Sequence, residues 1–143
     1  MNLELIPLFT LTVRPVPPVD LGVTPAGHRL MVELAEVVLQ GERIRAKKRE
    51  DVAAANWLDI TPDKTALVDI RVTVETEDGA LIYMQYQGRR DFTHVYEGVD
   101  APVYITPYFE TSDERYAWLN KIVAVGKGTV VGNTRVYEVY EVR

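Results

Sequence analysis

The chain contains no cysteine. Disulfides and cysteine-ligated zinc are therefore excluded, and a reducing, cytoplasmic setting is expected. Long apolar runs are also missing. No segment approaches the ~20 residues of a membrane helix, so no membrane association is expected. The opening MNLELIPLF has no basic start and no extended apolar stretch, so no secretory signal is expected. Positive charge is scarce: 16 Lys and Arg stand against 21 Asp and Glu, a formal net charge of −5. That balance argues against a nucleic-acid partner. One basic cluster stands apart, Arg43, Arg45, Lys47, Lys48 and Arg49. It reads as a solvated strand end, with a phosphate patch as the alternative.

Histidine is limited to His28 and His94, which lack any metal-binding spacing, so no metal site is expected. Gly126, Gly128 and Gly132 do not form G-x-G-x-x-G, and a strand follows them. No phosphate loop and no cofactor are expected. No Ser/His/Asp ordering stands out either.

What is present is alternation. A chain of 143 residues with 47% hydrophobic content suits one domain, 1–143, with a sizeable core. In residues 3–14, Leu3, Leu5, Phe9, Leu11 and Val13 point one way, and Glu4, Thr10, Thr12 and Arg14 the other. This predicts a half-buried strand, with Pro7 marking an edge or bulge. The following PVPPVDLGVTPAG holds four prolines and two glycines and predicts a surface loop. Residues 29–39 are apolar on both faces; a helix fits ELAEVVLQ, but strand is preferred because another alternating segment follows Gly41. Residues 50–56 are read as one helical turn or an irregular crossing.

Residues 66–77 place Ala66, Val68, Ile70, Val72 and Val74 on one face, and Asp69, Arg71, Thr73, Glu75 and Glu77 on the other. Asp78-Gly79 supplies a turn suited to positive φ, so 66–88 is a hairpin. Strands are further expected over 103–111, 119–126 and 129–142. Between the first two lies a turn or short helix over 112–118, with Ser112 as its N-cap candidate. About eight strands with short turns and little helix predict an all-β fold. The expected form is one closed antiparallel β-barrel, with a sandwich as the alternative. An eight-stranded barrel has room for one small ligand.

The segments DIRVTVETEDGALIYMQYQG (69–88) and PYFETSDERYAWLNKIVAVGKG (107–128) resemble the DUF3237 (UPF0311) family. The likeness spreads over most of 1–143. The family pattern pairs Asp with Trp, then has a D-x-R strand, D-G-A-L-I-Y, P-x-F-E-T and Y-x-W-L-N. The resemblance implies a small barrel similar to allene oxide cyclase and lipocalin-type barrels, and implies no settled activity. Two positions depart from it. Asn56 stands before Trp57 where the family tends to have Asp, and Tyr104 stands where it tends to have Arg. If both positions line the pocket, that pocket loses a carboxylate and a guanidinium.

The stretch Tyr104 to Gly126 holds the densest set of aromatic and polar side chains. On strand 103–111, Tyr104, Thr106, Tyr108 and Glu110 share one face, and Val103, Ile105 and Phe109 the other. With the polar face turned into the lumen, Glu110 becomes the candidate acid or base, because desolvation beside aromatics tunes a carboxylate for that work. Arg71 is the second catalytic candidate, anchored by Asp69. Tyr83, Tyr104, Tyr108, Asn56 and Asn120 are candidate polar contacts, and Trp57 and Trp118 candidate apolar walls. The competing reading turns the valines inward and leaves Asp69, Arg71 and Glu110 in solvent. The partner expected is one small, largely apolar, carbonyl-bearing molecule. The preferred activity is a cofactor-independent isomerase, cyclase or dehydratase, and the alternatives are a carrier, a sensor or a structural barrel. The last strand is apolar on both faces, Val136, Tyr140 and Val142 against Tyr137 and Val139. That predicts a homo-oligomer, with a dimer preferred.

Overall fold

A computed structural model describes residues 1–143. Ten strands follow in chain order: β1 (Leu5–Pro15), β2 (Val19–Thr24), β3 (Gly27–Gln40), β4 (Arg45–Lys48), β5 (Ala55–Ile60), β6 (Thr65–Thr76), β7 (Leu81–Asp91), β8 (Val103–Glu110), β9 (Val123–Val131) and β10 (Thr134–Val142). They pair antiparallel in the order β1-β10-β9-β8-β7-β6-β4-β3-β2, and β1 pairing with β3 closes the ring. The barrel has eight strand positions, because two of them are shared. β4 and β5 lie end to end between β3 and β6, and β2 continues the path of β1 along β3.

The predicted loop over 15–27 is therefore corrected. Irregular backbone is limited to the proline-bearing stretch between Pro15 and Val19, where proline cannot donate to the ladder, and to the Pro25-Ala26 turn. Residues 19–24 pair with β3 as a strand, with a register shift between Asp20 and Gly22. The helix-like pattern of 29–39 has a similar cause. Leu30, Val32 and Leu34 are buried, and then Val37 and Leu39. The parity changes because β1 shifts register opposite Leu34–Glu36, and an extra residue in a strand reverses which side chains face inward. A second shift between Pro7 and Phe9 buries both Leu8 and Phe9 and leaves Leu3 and Leu5 exposed, contrary to the simple alternation.

The lumen is filled. Ala66, Val68, Ile70, Val72 and Val74 of β6 point in, with Ile82, Met84 and Tyr86 of β7, Val103, Ile105 and Phe109 of β8, and Tyr137 and Val139 of β10. Phe9 and Phe109 meet edge to face at 5.9 Å, and Tyr86 and Tyr137 at 6.1 Å. Eight strands leave an interior just wide enough for side chains, and these aromatic rings occupy it. One end is closed by a 3-10 helix, Glu114–Lys121, that buries Leu119. Its N-cap is Asp113, which accepts from the Arg115 amide, rather than Ser112. At the same end, hydrogen bonds from Arg143 and Arg43 hold the buried Glu141 carboxyl below the usual carboxylate range.

The β6–β7 hairpin turns through 77–80, with Gly79 at φ 91°. The Ala80 amide donates to the Thr76 hydroxyl oxygen at 2.7 Å. A Cβ at Gly79 would meet nothing within 4 Å, so only backbone strain opposes a side chain there. Gly79→Val is expected to cost about 1–3 kcal/mol, the strain of a β-branched residue at positive φ. An unchanged melting temperature would contradict the turn geometry.

Candidate functional site

Burial of the valine face decides the orientation of the predicted site residues. On β8, Val103, Ile105 and Phe109 are 4%, 2% and 3% exposed, whereas Tyr104 and Tyr108 are 55% and 45% exposed. The polar face of β6, β7 and β8 is the outer wall of the barrel. This corrects the expectation that Glu110 opens into the lumen. Its carboxylate is exposed, and neither Arg71 nor Tyr104 is hydrogen-bonded to it. The burial on which its acid–base role rested is absent. The reason is volume: turning two tyrosines inward would require turning the valines of β6 outward, and the lumen has no space for both sets.

Asp69, Arg71, Tyr83, Tyr108 and Glu110 nonetheless gather on one sheet face. The register sets Asp69 opposite Gln87, and Gln87 opposite Thr106; Arg71 is opposite Gln85, and Gln85 opposite Tyr108; Thr73 is opposite Tyr83, and Tyr83 opposite Glu110. Two hollows interrupt this wall.

The first, of ≈ 730 Å³, is shallow and lined by Thr73, Leu81, Tyr83, Tyr108, Glu110 and Asn120 among others. Its two tyrosines and Asn120 are already engaged. Tyr83 and Tyr108 both donate to Gln85 Oε1. Burial, and then the neighbouring Tyr108, push the Tyr83 hydroxyl pKa up, so it stays a donor. Asn120 accepts from the Thr111 amide at 2.8 Å and donates to the Thr111 carbonyl at 2.9 Å. It closes the corner between β8 and the 3-10 helix instead of facing a ligand.

The second hollow, of ≈ 620 Å³, is the more enclosed one. Trp57, Leu67 and Tyr104 supply its apolar walls, Asp59 and Asp69 its carboxylates, Arg29 and Arg89 its guanidiniums, and Gln87 and Thr106 further polar groups. β3, β5, β6 and β7 bring these together in adjacent rows: Arg29 opposite Asp59, Asp59 opposite Leu67, and Leu67 opposite Arg89. Asp59 is 7% exposed. Its Oδ1, and the Oδ1 of Asp69, are buried without any hydrogen-bond partner in the protein. A buried acceptor left unpaired costs about 1–3 kcal/mol. Both residues line the one cavity, although the Asp59 Oδ1 itself lies against Gly27. Arg29 is not their partner; its guanidinium donates to the Trp57 carbonyl at 2.9 Å. The Arg71 guanidinium lies 5.5 Å from the Trp57 ring centroid, in cation–π reach, and steadies the wall.

Trp57, Asp69 and Tyr104 thus lie together, while Tyr83, Tyr108, Glu110 and Asn120 line the neighbouring hollow. Asn56 has a structural task. Its Oδ1 accepts from the Asp69 amide at 3.0 Å, bridging the break in β5–β6 pairing after Asn56. Trp118 lies apart, packed on the core with the Arg43 guanidinium 4.0 Å from its ring centroid. Of the two departures from the family pattern, Tyr104 lines the hollow and Asn56 does not, and Asp59, Arg29 and Arg89 supply charge beside Tyr104. Sequence patterns missed these three. Arg29 lies on β3, where a register shift reverses the parity further along, and Asp59 lies on the short β5, which the sequence pattern did not reveal as a strand. Arg89 was legible in principle, because it continues the outward alternation of Tyr83, Gln85 and Gln87 past Gly88.

The chain is matched over residues 3–142 by a family model described as a protein of unknown function, DUF3237. A β-barrel-like protein from Acinetobacter baumannii AYE shares 30% identity at a TM-score of 0.86, covering 100% of this chain and 98% of that one. A conserved protein of unknown function from Rhodopseudomonas palustris shares 25% at 0.89, covering 100% and 99%. A protein from Penicillium herquei, described as an enzyme, shares 21% at 0.73, covering 99% and 94%; that likeness shows the fold alone. No curated protein matches the chain.

Proposed function

Because the chain belongs to the DUF3237 family, whose description assigns no activity, we propose its function from its own outer wall: it binds a small molecule in the hollow of Trp57, Asp59, Asp69 and Tyr104. The observation that carries this is a pair of carboxylates lining one cavity, Asp59 and Asp69, each with a buried oxygen that no protein group pairs. A ligand hydroxyl or acidic C–H would be their natural counterpart, and Trp57 and Tyr104 would hold a planar apolar body. Within this reading the chemistry is cofactor-independent isomerisation, cyclisation or dehydration of a carbonyl compound. Asp69 or Asp59 takes or returns the proton, and Arg29 or Arg89 faces the carbonyl oxygen as negative charge develops. Glu110, Arg71, Tyr83, Tyr108 and Asn120 are assigned to the margin of this site, and Asn56 to holding Asp69 in register.

The test uses 4-hydroxyacetophenone, an aromatic ring carrying one hydroxyl and one carbonyl. Binding is read by tryptophan fluorescence in a Trp118→Phe background, which leaves Trp57 as reporter. Asp69→Asn is expected to weaken binding about tenfold, the worth of one charge-assisted hydrogen bond, while Glu110→Gln leaves it within about twofold. Equal quenching in Trp57→Phe, or equal affinity in Asp69→Asn, would remove the site.

The filled lumen favours a second reading, a barrel that chiefly builds an oligomer. The outer wall exposes Leu81, Tyr104, Tyr108 and Val123 at 51%, 55%, 45% and 66%, and a second copy seated there would enclose the hollow. A homodimer is accordingly part of the proposal.

A further inference from the structure

We propose that the barrel mouth at the start of β10 is a second binding site, one that takes a carboxylate group on Arg135 with the Tyr137 hydroxyl as an additional donor. Arg135 alternates along β10 with Tyr137 and Val139, both buried, so its side chain is turned toward the inside of the barrel. It is half-buried and forms no hydrogen bond or ion pair with any protein acceptor. Arg90, its neighbour at the same mouth, is differently placed. Its Nε donates to the Ala101 carbonyl at 3.1 Å, and its terminal nitrogen meets Asp100 at 3.2 Å. Asp100 is thereby spent on Arg90, and the mouth keeps one uncompensated positive charge.

Burial lowers the Arg135 pKa, with the field of Arg90 acting in the same direction and that of Asp100 against it. A guanidinium stays protonated through such a shift, so it remains a cation in want of an anion. Burial also pushes the Tyr137 hydroxyl up to about 12, which leaves it a neutral donor at physiological pH. Below it the Tyr86 hydroxyl is fully buried and also lacks a partner. The mouth thus holds donors in excess of acceptors.

A guanidinium fork matches a carboxylate with two parallel hydrogen bonds, and a single negative charge balances the single free positive one. A monoanionic carboxylate therefore fits better than a dianionic phosphate. Tyr137 and Val139 fill the lumen beneath, so only the carboxylate head enters. The rest of the ligand lies outward, beside the 92–102 connection that Arg90 ties down through Asp100 and Ala101. This site lies at the barrel mouth, on side chains that do not line the outer hollow, and stands whether or not the hollow binds.

The probe is sodium acetate, titrated against sodium chloride at constant ionic strength, with the Arg135 Nε–Hε resonance read by NMR. A saturable shift at an acetate Kd on the order of millimolar is expected, about tenfold weaker in Tyr137→Phe; loss of the resonance in Arg135→Gln assigns it. Arg135→Gln is also expected to keep or raise the melting temperature in acetate-free buffer, because it removes an unpaired charge. A melting temperature that falls would reveal a protein partner for Arg135 and overturn the site. A shift that is linear in acetate, or the same in chloride, would also overturn it. Saturation by inorganic phosphate but not acetate would overturn the carboxylate assignment.

Discussion

Phe109→Ala is expected to destabilise the protein by about 3–5 kcal/mol, while Glu110→Gln, the next residue, changes stability by less than about 0.5 kcal/mol. Phe109 is 3% exposed and packs its ring edge to face on Phe9 at 5.9 Å, inside the closed ring of strands. Truncation leaves a hole that eight hydrogen-bonded strands cannot collapse to fill, so the loss includes the cavity as well as the buried surface. Glu110 stands on the opposite face of the same strand, exposed and without a hydrogen-bond partner. Adjacent residues of a strand point to opposite faces, so this pair of substitutions reads the parity of β8 directly. Urea unfolding of both variants is the measurement. Equal losses, or the larger loss at Glu110, would mean that the polar face lines the lumen after all.

Gly128→Ala is expected to cost about 3 kcal/mol, in the upper part of the range for overpacking a core. A Cβ built at Gly128 would lie 2.2, 2.6 and 2.7 Å from three ring atoms of Tyr137. The two residues are direct cross-strand partners in the β9–β10 ladder, so the ring lies flat over the space that a side chain would take. Tyr137 is 3% exposed and is backed by Tyr86 at 6.1 Å, so the ring has nowhere to retreat. The cause is specific and can be tested by a double-mutant cycle. Gly128→Ala combined with Tyr137→Ala should cost at least about 1 kcal/mol less than the sum of the two single losses. Strict additivity would place the strain elsewhere.

The hairpin of β6 and β7 and the all-β class were legible because both are local. Two-residue periodicity on 66–76 and the Asp78-Gly79 turn need no long-range information. The strand β2 was hidden because Pro15, Pro17 and Pro18 look like punctuation, although only backbone pairing with β3 decides whether the following residues extend. Of the site, Trp57, Asp69 and Tyr104 were visible as residue types, whereas Asp59, Arg29 and Arg89 were not. The latter three matter through their neighbours across strands, and the register shifts along β1, β2 and β3 break the alternation from which such neighbours could be counted.

Local pattern alone determined which residues of each regular strand share a face, and so grouped Asp69 with Arg71 and Tyr104 with Glu110. It could not determine which face is inside, because both faces of β8 carry large side chains and alternation is symmetric between them. Closure of the ring decided that. Once β1 pairs with β3, the interior volume is set, and Phe9, Met84, Tyr86, Phe109 and Tyr137 fill it. The polar face is thereby left on the outer wall, and the candidate site with it.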